Sequence, residues 1–154
     1  MERKMLHEAL GEILDAVVET LKGANVKGGL LEEVETIVRG DRARPRPSLP
    51  GLFVYADVAR NEHAHRALHE TWALPVIIVA TVKNDDDPEE GYREATALAA
   101  RARSVAITKG RRLGLDFVQD VASTQFEASG PWMREGSLFL SAATIEVRFT
   151  ILEN

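Results

Sequence analysis

Three histidines, His63, His65 and His69, lie close together and are flanked by Glu62 and Glu70. Imidazoles at such spacing bind zinc or nickel, and His65 and His69 would share one face of a helical turn. The plainer reading is a surface loop with incidental histidines, because the His-Glu-x-x-His pattern of metalloproteases follows neither His7 nor His69. The sequence has no cysteine, which removes disulfides, thiolate nucleophiles and Cys-ligated zinc. Asp85, Asp86 and Asp87 lack the glycine and distal glutamate of a calcium loop, and a helix cap explains them better. Gly-x-Ser-x-Gly, Gly-x-Gly-x-x-Gly and a phosphate-cradling glycine loop are all missing. The serines, Ser48, Ser104, Ser123, Ser129, Ser137 and Ser141, stand in no activating context. The expectation is a protein without catalytic residues, bound metal or cofactor.

Chemistry of another kind is offered by Arg42, Arg44 and Arg46, which follow Arg39 and alternate with Pro45 and Pro47. Guanidinium groups make forked hydrogen bonds to carboxylates and phosphates, and proline lowers the entropy lost when such a loop docks. The competing reading is a solvated connector. Trp72 and Trp132 are read as core or interface anchors before cofactor stackers. These five residues, Arg42, Arg44, Arg46, Trp72 and Trp132, are the candidate partner contacts.

The elements that must position them follow from periodicity. Leu6, Leu10, Ile13, Val17 and Leu21 recur at helical spacing, so a helix is expected over about 3–22, ending at Gly23 in a left-handed stop. Residues 33–39 favour a strand, with a helix through Leu30, Val34, Ile37 and Val38 as the rival. Prolines 45, 47 and 50 make 40–50 a loop. A short strand at 52–56 precedes a polar stretch, 57–70, with room for a helical turn. In 71–82 one face carries Trp72, Leu74, Val76, Ile78, Ala80 and Val82, while Ile77 and Val79 lie on the other. Both faces of that strand are therefore covered, or one is an interface. Pro75 suggests a bulge or an edge.

Asp87-Pro88-Glu89-Glu90 combines a capping carboxylate, proline in the first helical position and acidic residues at the positive end of the dipole. A helix starts there, with Tyr92, Ala95, Ala99, Ala102 and Ala106 on a small-residue face and Gly110 and Gly114 bracketing its end. Two last strands are expected at 115–126 and 138–152. The second alternates Ile145, Val147, Phe149 and Ile151 with Thr144, Glu146, Arg148 and Thr150. The order α, β, β, β, α, β, β implies one α+β domain over 1–154. Its antiparallel or mixed sheet would have four or five strands, with the helices packed on one side.

Composition agrees. At 154 residues, 45% hydrophobic and 28% charged, the chain can bury an ordinary core. No signal-peptide core is expected near Met1, and the longest apolar run, 73–80, is too short for a membrane helix and is broken by Pro75. A net charge of −5 gives no general attraction to nucleic acid.

With this layout, several signatures gain meaning together. They are Val34-Glu-Thr-Ile-Val-Arg-Gly40, Leu49-Pro50-Gly-Leu-Phe-Val54, Glu70-Thr-Trp-Ala-Leu-Pro-Val76, Asp87-Pro88-Glu-Glu-Gly91-Tyr92 and Ile145-Glu-Val-Arg-Phe149. Along nearly the whole chain the pattern resembles the tail terminator, or tail completion, proteins of long-tailed bacteriophages and prophages. It does so through element order and short apolar segments, not through a catalytic motif. The resemblance implies a structural subunit of the virion tail, made in the bacterial cytoplasm, that forms a ring, most often a hexamer. Such a ring caps the tail tube, stops its polymerisation and offers a surface to the head-completion or neck protein. Its implied partners are copies of itself, the tube protein and the neck protein, with no membrane and no specific nucleic acid. Neck and tube-like subunits share the architecture and are the nearest alternative. A small His-based metal-binding hydrolase and a nucleic-acid module built on the arginine loop are more distant ones.

Overall fold

The computed structural model describes residues 4–62, 70–108, 111–125 and 133–151. The first helix, α1, spans Leu6–Gly23 and buries Ala9, Ile13, Leu14, Val17, Val18 and Leu21 on one stripe, the face that the helical spacing implied. Its end differs from expectation. Gly23 does not adopt positive φ. Instead the N–H groups of Ala24 and Asn25 donate to the carbonyls of Leu21 and Lys22 at 3.1 and 3.0 Å, and the left-handed turn comes later, at Gly28 with φ 80°.

Seven strands form one mixed sheet: β1 (Thr36–Arg39), β2 (Gly51–Ala56), β3 (Arg60–Asn61), β4 (Glu70–Lys83), β5 (Val118–Gln125), β6 (Met133–Glu135) and β7 (Leu138–Ile151). Five make the continuous path β1-β2-β4-β7-β5, while the short β3 and β6 attach to β4 and β7. Among the described residues only β1 and β2 pair in parallel, Thr36 lying beside Gly51 and Arg39 beside Val54. Residues 40–50 run the chain back along the strand, with a single 3-10 turn at Gly40–Arg42 in what the prolines marked as loop. The centre of the sheet is the long antiparallel pair β4 and β7, in register from Glu70 beside Ile151 to Lys83 beside Leu138.

Pro75 lies in this central strand, neither at an edge nor in a bulge of the β4–β7 ladder. It falls where the flanking partner changes from β2, whose pairing with β4 ends at Val76, to β3, whose pairing begins at Ala73. Its carbonyl accepts from the Asp57 N–H at 2.9 Å, so its missing donor faces that gap and costs the ladder nothing.

The second helix, α2 (Pro88–Thr108), starts as the sequence implied: the Asp87 carboxylate accepts from the N–H groups of Glu89 and Glu90 at 3.1 and 3.3 Å. Asn84 caps the preceding turn through the Asp86 and Asp87 N–H groups. The small-residue face of α2 sits against β4 and β7, and α1 lies beside it over β1 and β2. Both helices thus bury the sheet face formed by Leu52, Val54, Leu74, Val76, Ile78, Ile145 and Val147, in a single core. The α+β architecture with helices on one side is the one expected.

Candidate docking surfaces

The sheet face turned away from the helices carries apolar rows at one end and polar residues at the other. Register places Val38 beside Phe53, Phe53 beside Val79, and Val79 beside Ala142 in one row across four strands. The next row is Tyr55, Ile77 and Thr144, and Leu140 stands opposite Thr81. Ile77, Val79, Leu140 and Ala142 are half-buried, and Tyr55 is 43% exposed. None of these side chains belongs to the core that the helices complete. The sequence marked Ile77 and Val79 as residues with an unassigned face. It concealed Leu140 and Ala142, because alternation in β7 is clean only from Thr144 onward, where the same face turns polar.

That polar half is organised by Glu146. Its buried carboxylate accepts from Arg60 at 3.1 Å and from Arg148 at 3.3 Å, and Arg148 lies 3.8 Å from Glu62. Reading Glu146 as a wet-face residue missed this, since Arg60 reaches it only through the pairing of β3 with β4.

The arginine loop lies at the opposite edge, beside β1. Arg39 is its anchor: the guanidinium donates to Asp41 at 3.1 and 3.0 Å and to Asp15 of α1 at 3.3 Å. Partial burial opposes its charge, but these two carboxylates outweigh that effect and raise its pKa above the ordinary arginine value. The Asp41 carboxyl is held below its usual range, chiefly by the Arg39 hydrogen bond. Arg42 reaches the same Asp15 at 3.2 Å. Arg44 and Arg46 make no salt bridge among the described residues, and both line a groove of about 600 Å³ with Lys22, Arg42 and the β1 residues Thr36 to Val38. The Thr36 hydroxyl donates to the Ser48 carbonyl at 2.7 Å and so ties the loop's return to the strand.

Trp72 is half-buried at the core side of β4, beside Phe149 in register, and its indole N–H donates to Glu70 at 3.2 Å. It is a core-rim residue, apart from both the apolar rows and the groove. Trp132, His63, His65 and His69 lie outside the described residues. Among the described residues no group of three His, Cys, Asp or Glu side chains is placed to hold a metal ion, and no helix is long and apolar enough to cross a membrane. In a cleft lined by Pro50, Val82, Leu98 and several charged residues both arginines are engaged: Arg101 pairs with Glu33 and donates to the Leu30 carbonyl, and Arg93 pairs with Glu89 and Glu90. It clasps α2 to the start of the sheet.

No protein-family model matches the sequence, and comparison with curated proteins returns no significant relative.

Proposed function

We propose that this chain is a structural assembly subunit of the tail-terminator type, closing into a ring that caps a tail tube and presents a surface to the neck. The observation that carries the reading is the row of half-buried apolar residues Val38, Val79 and Ala142, set around the buried Phe53, with its neighbours Tyr55, Ile77 and Leu140, on the face that neither helix covers. A contiguous apolar patch of this kind marks a contact surface in a soluble subunit. A head-to-tail contact between identical subunits must close, or it generates filaments.

The test is direct. Purified protein is examined by negative-stain microscopy and light scattering across the high micromolar range, alone and with tail tubes. Rings, with six subunits the expected number, support the proposal. Monomer throughout, with no ring formed on added tubes, overturns it.

A further inference from the structure

We infer that the groove beside β1 binds an extended, acidic segment of a partner protein, which adds to the sheet as a further strand. The floor is the outer edge of β1. Of the described strands it pairs with β2 alone, so among the described residues no strand pairs with the other edge of Thr36–Arg39. An unpaired edge is a template for a polypeptide backbone, whose donors and acceptors recur at the same spacing.

The walls settle what kind of segment fits. On the core side stands the second half of α1: a smaller hollow continuous with the groove through Ile37, Val38 and Arg42 is lined by Val18 and Lys22. On the other side stands the arginine loop, fixed there by the Thr36–Ser48 hydrogen bond and by Gly40, which packs so closely on the Tyr55 ring that a Cβ would overlap it. Successive side chains of an added strand point to opposite faces. One set would meet Val18 and the other set Arg44 and Arg46.

Charge then selects the second set. Lys22, Arg42, Arg44 and Arg46 line the groove against Glu35, and the adjoining hollow adds Arg39 with Asp15 and Glu19, so cations still outnumber carboxylates, although Lys22 is paired with Glu19 at 3.7 Å. This excess sits on a chain whose net charge is −5. Arg42 is already shared with Asp15, whereas Arg44 and Arg46 stand two residues apart and make no salt bridge among the described residues. They suit two carboxylates at alternate positions of a strand, each taken by a forked guanidinium contact. A nucleic acid would gain the charge contacts but not the edge hydrogen bonds, and would approach against the overall negative charge. The groove therefore favours a peptide that alternates acidic with small apolar residues.

This inference does not depend on ring formation, and its test separates the two. A fluorescent peptide alternating glutamate with valine is titrated with the full-length chain at low salt, followed by anisotropy and by amide shifts. Alongside it run the glutamine analogue, a version N-methylated at alternate backbone positions, and a single-stranded oligonucleotide of equal charge. The expected result is binding that shifts the amides of Thr36 to Arg39. It weakens about tenfold or more with N-methylation, with glutamine for glutamate, and in the Arg44→Ser/Arg46→Ser chain, whose circular dichroism spectrum and ring state are unchanged. Undiminished binding of the N-methylated peptide, tighter binding of the oligonucleotide, or no peptide binding at roughly millimolar protein overturns the proposal.

Discussion

Gly91, in the first turn of α2, lies directly against the ring of Phe139, with no room for even one more carbon between them. Phe139 is fully buried and also makes an edge-to-face contact with Tyr92, at 4.7 Å between ring centres. Helix and sheet therefore meet here backbone to ring. Gly91→Ala, normally favourable in a helix by about 1 kcal/mol, should instead destabilise by about 1–3 kcal/mol, because neither α2 nor the ring can move without disturbing the core. Urea unfolding measures this; a stabilised variant would show that the contact yields.

Glu146 supplies a test of the polar half of the open face. Arg60 and Arg148 are about half exposed or more while the carboxylate they share is buried. Removing both cations should cost about 2–4 kcal/mol, since it leaves a buried charge uncompensated, whereas Glu146→Met should cost no more than about 1 kcal/mol because the arginines return to water. Equal costs in denaturant unfolding would mean that Glu146 is effectively solvated.

At the base of the arginine loop, Asp41 makes a pH-dependent contribution. Its folded pKa is depressed, first by the Arg39 hydrogen bond, so its contribution is fully present above the unfolded value of 3.8 and is lost as pH falls through the lower folded value. Asp41→Asn should therefore differ from the parent in thermal midpoint near neutrality, and the difference should close in acid. A gap that persists unchanged at low pH contradicts the assignment.

The cap of α2 was legible from sequence, and its worth is measurable. Asp87→Ala removes the acceptor for two helix N–H groups and should lower stability by about 1 kcal/mol, while Asp85→Ala, whose carboxylate serves only an exposed pair with Lys83 at 3.9 Å, should change it by no more than about 0.5 kcal/mol. Parallel thermal melts decide between them.

Legibility had a physical boundary. Local rules delivered α1, the Asp87 cap, the alternation from Thr144 to Ile151 and the two-faced apolar character of β4, since each depends on neighbours within a few residues. What escaped depends on partners remote in sequence. The parallel pairing of β1 with β2 arises because the 40–50 connection returns along the strand. The strands β3 and β6 are too short to show a period. The Arg39–Asp15 pair joins a strand to a helix, so neither segment announces it. The groove is legible only in part: Arg42, Arg44 and Arg46 were visible as a basic loop, but nothing local places them beside an open strand edge. Trp72 drew notice as an anchor and proves to serve the rim of the core.

The long β4–β7 ladder has a consequence for synthesis on the ribosome. β4 is made well before β7, yet its main antiparallel partner along its whole length is β7, the last strand described. A nascent chain therefore carries Leu74 to Val82 through the making of α2, β5 and β6 with that edge unpaired, and pairing of this kind, distant in sequence, is slow to form. Amphipathic α2, emerging directly after β4, is the first element able to shield the apolar face of the waiting strand. Chains stalled before Leu138 should thus be the species that chaperones hold and proteases clear.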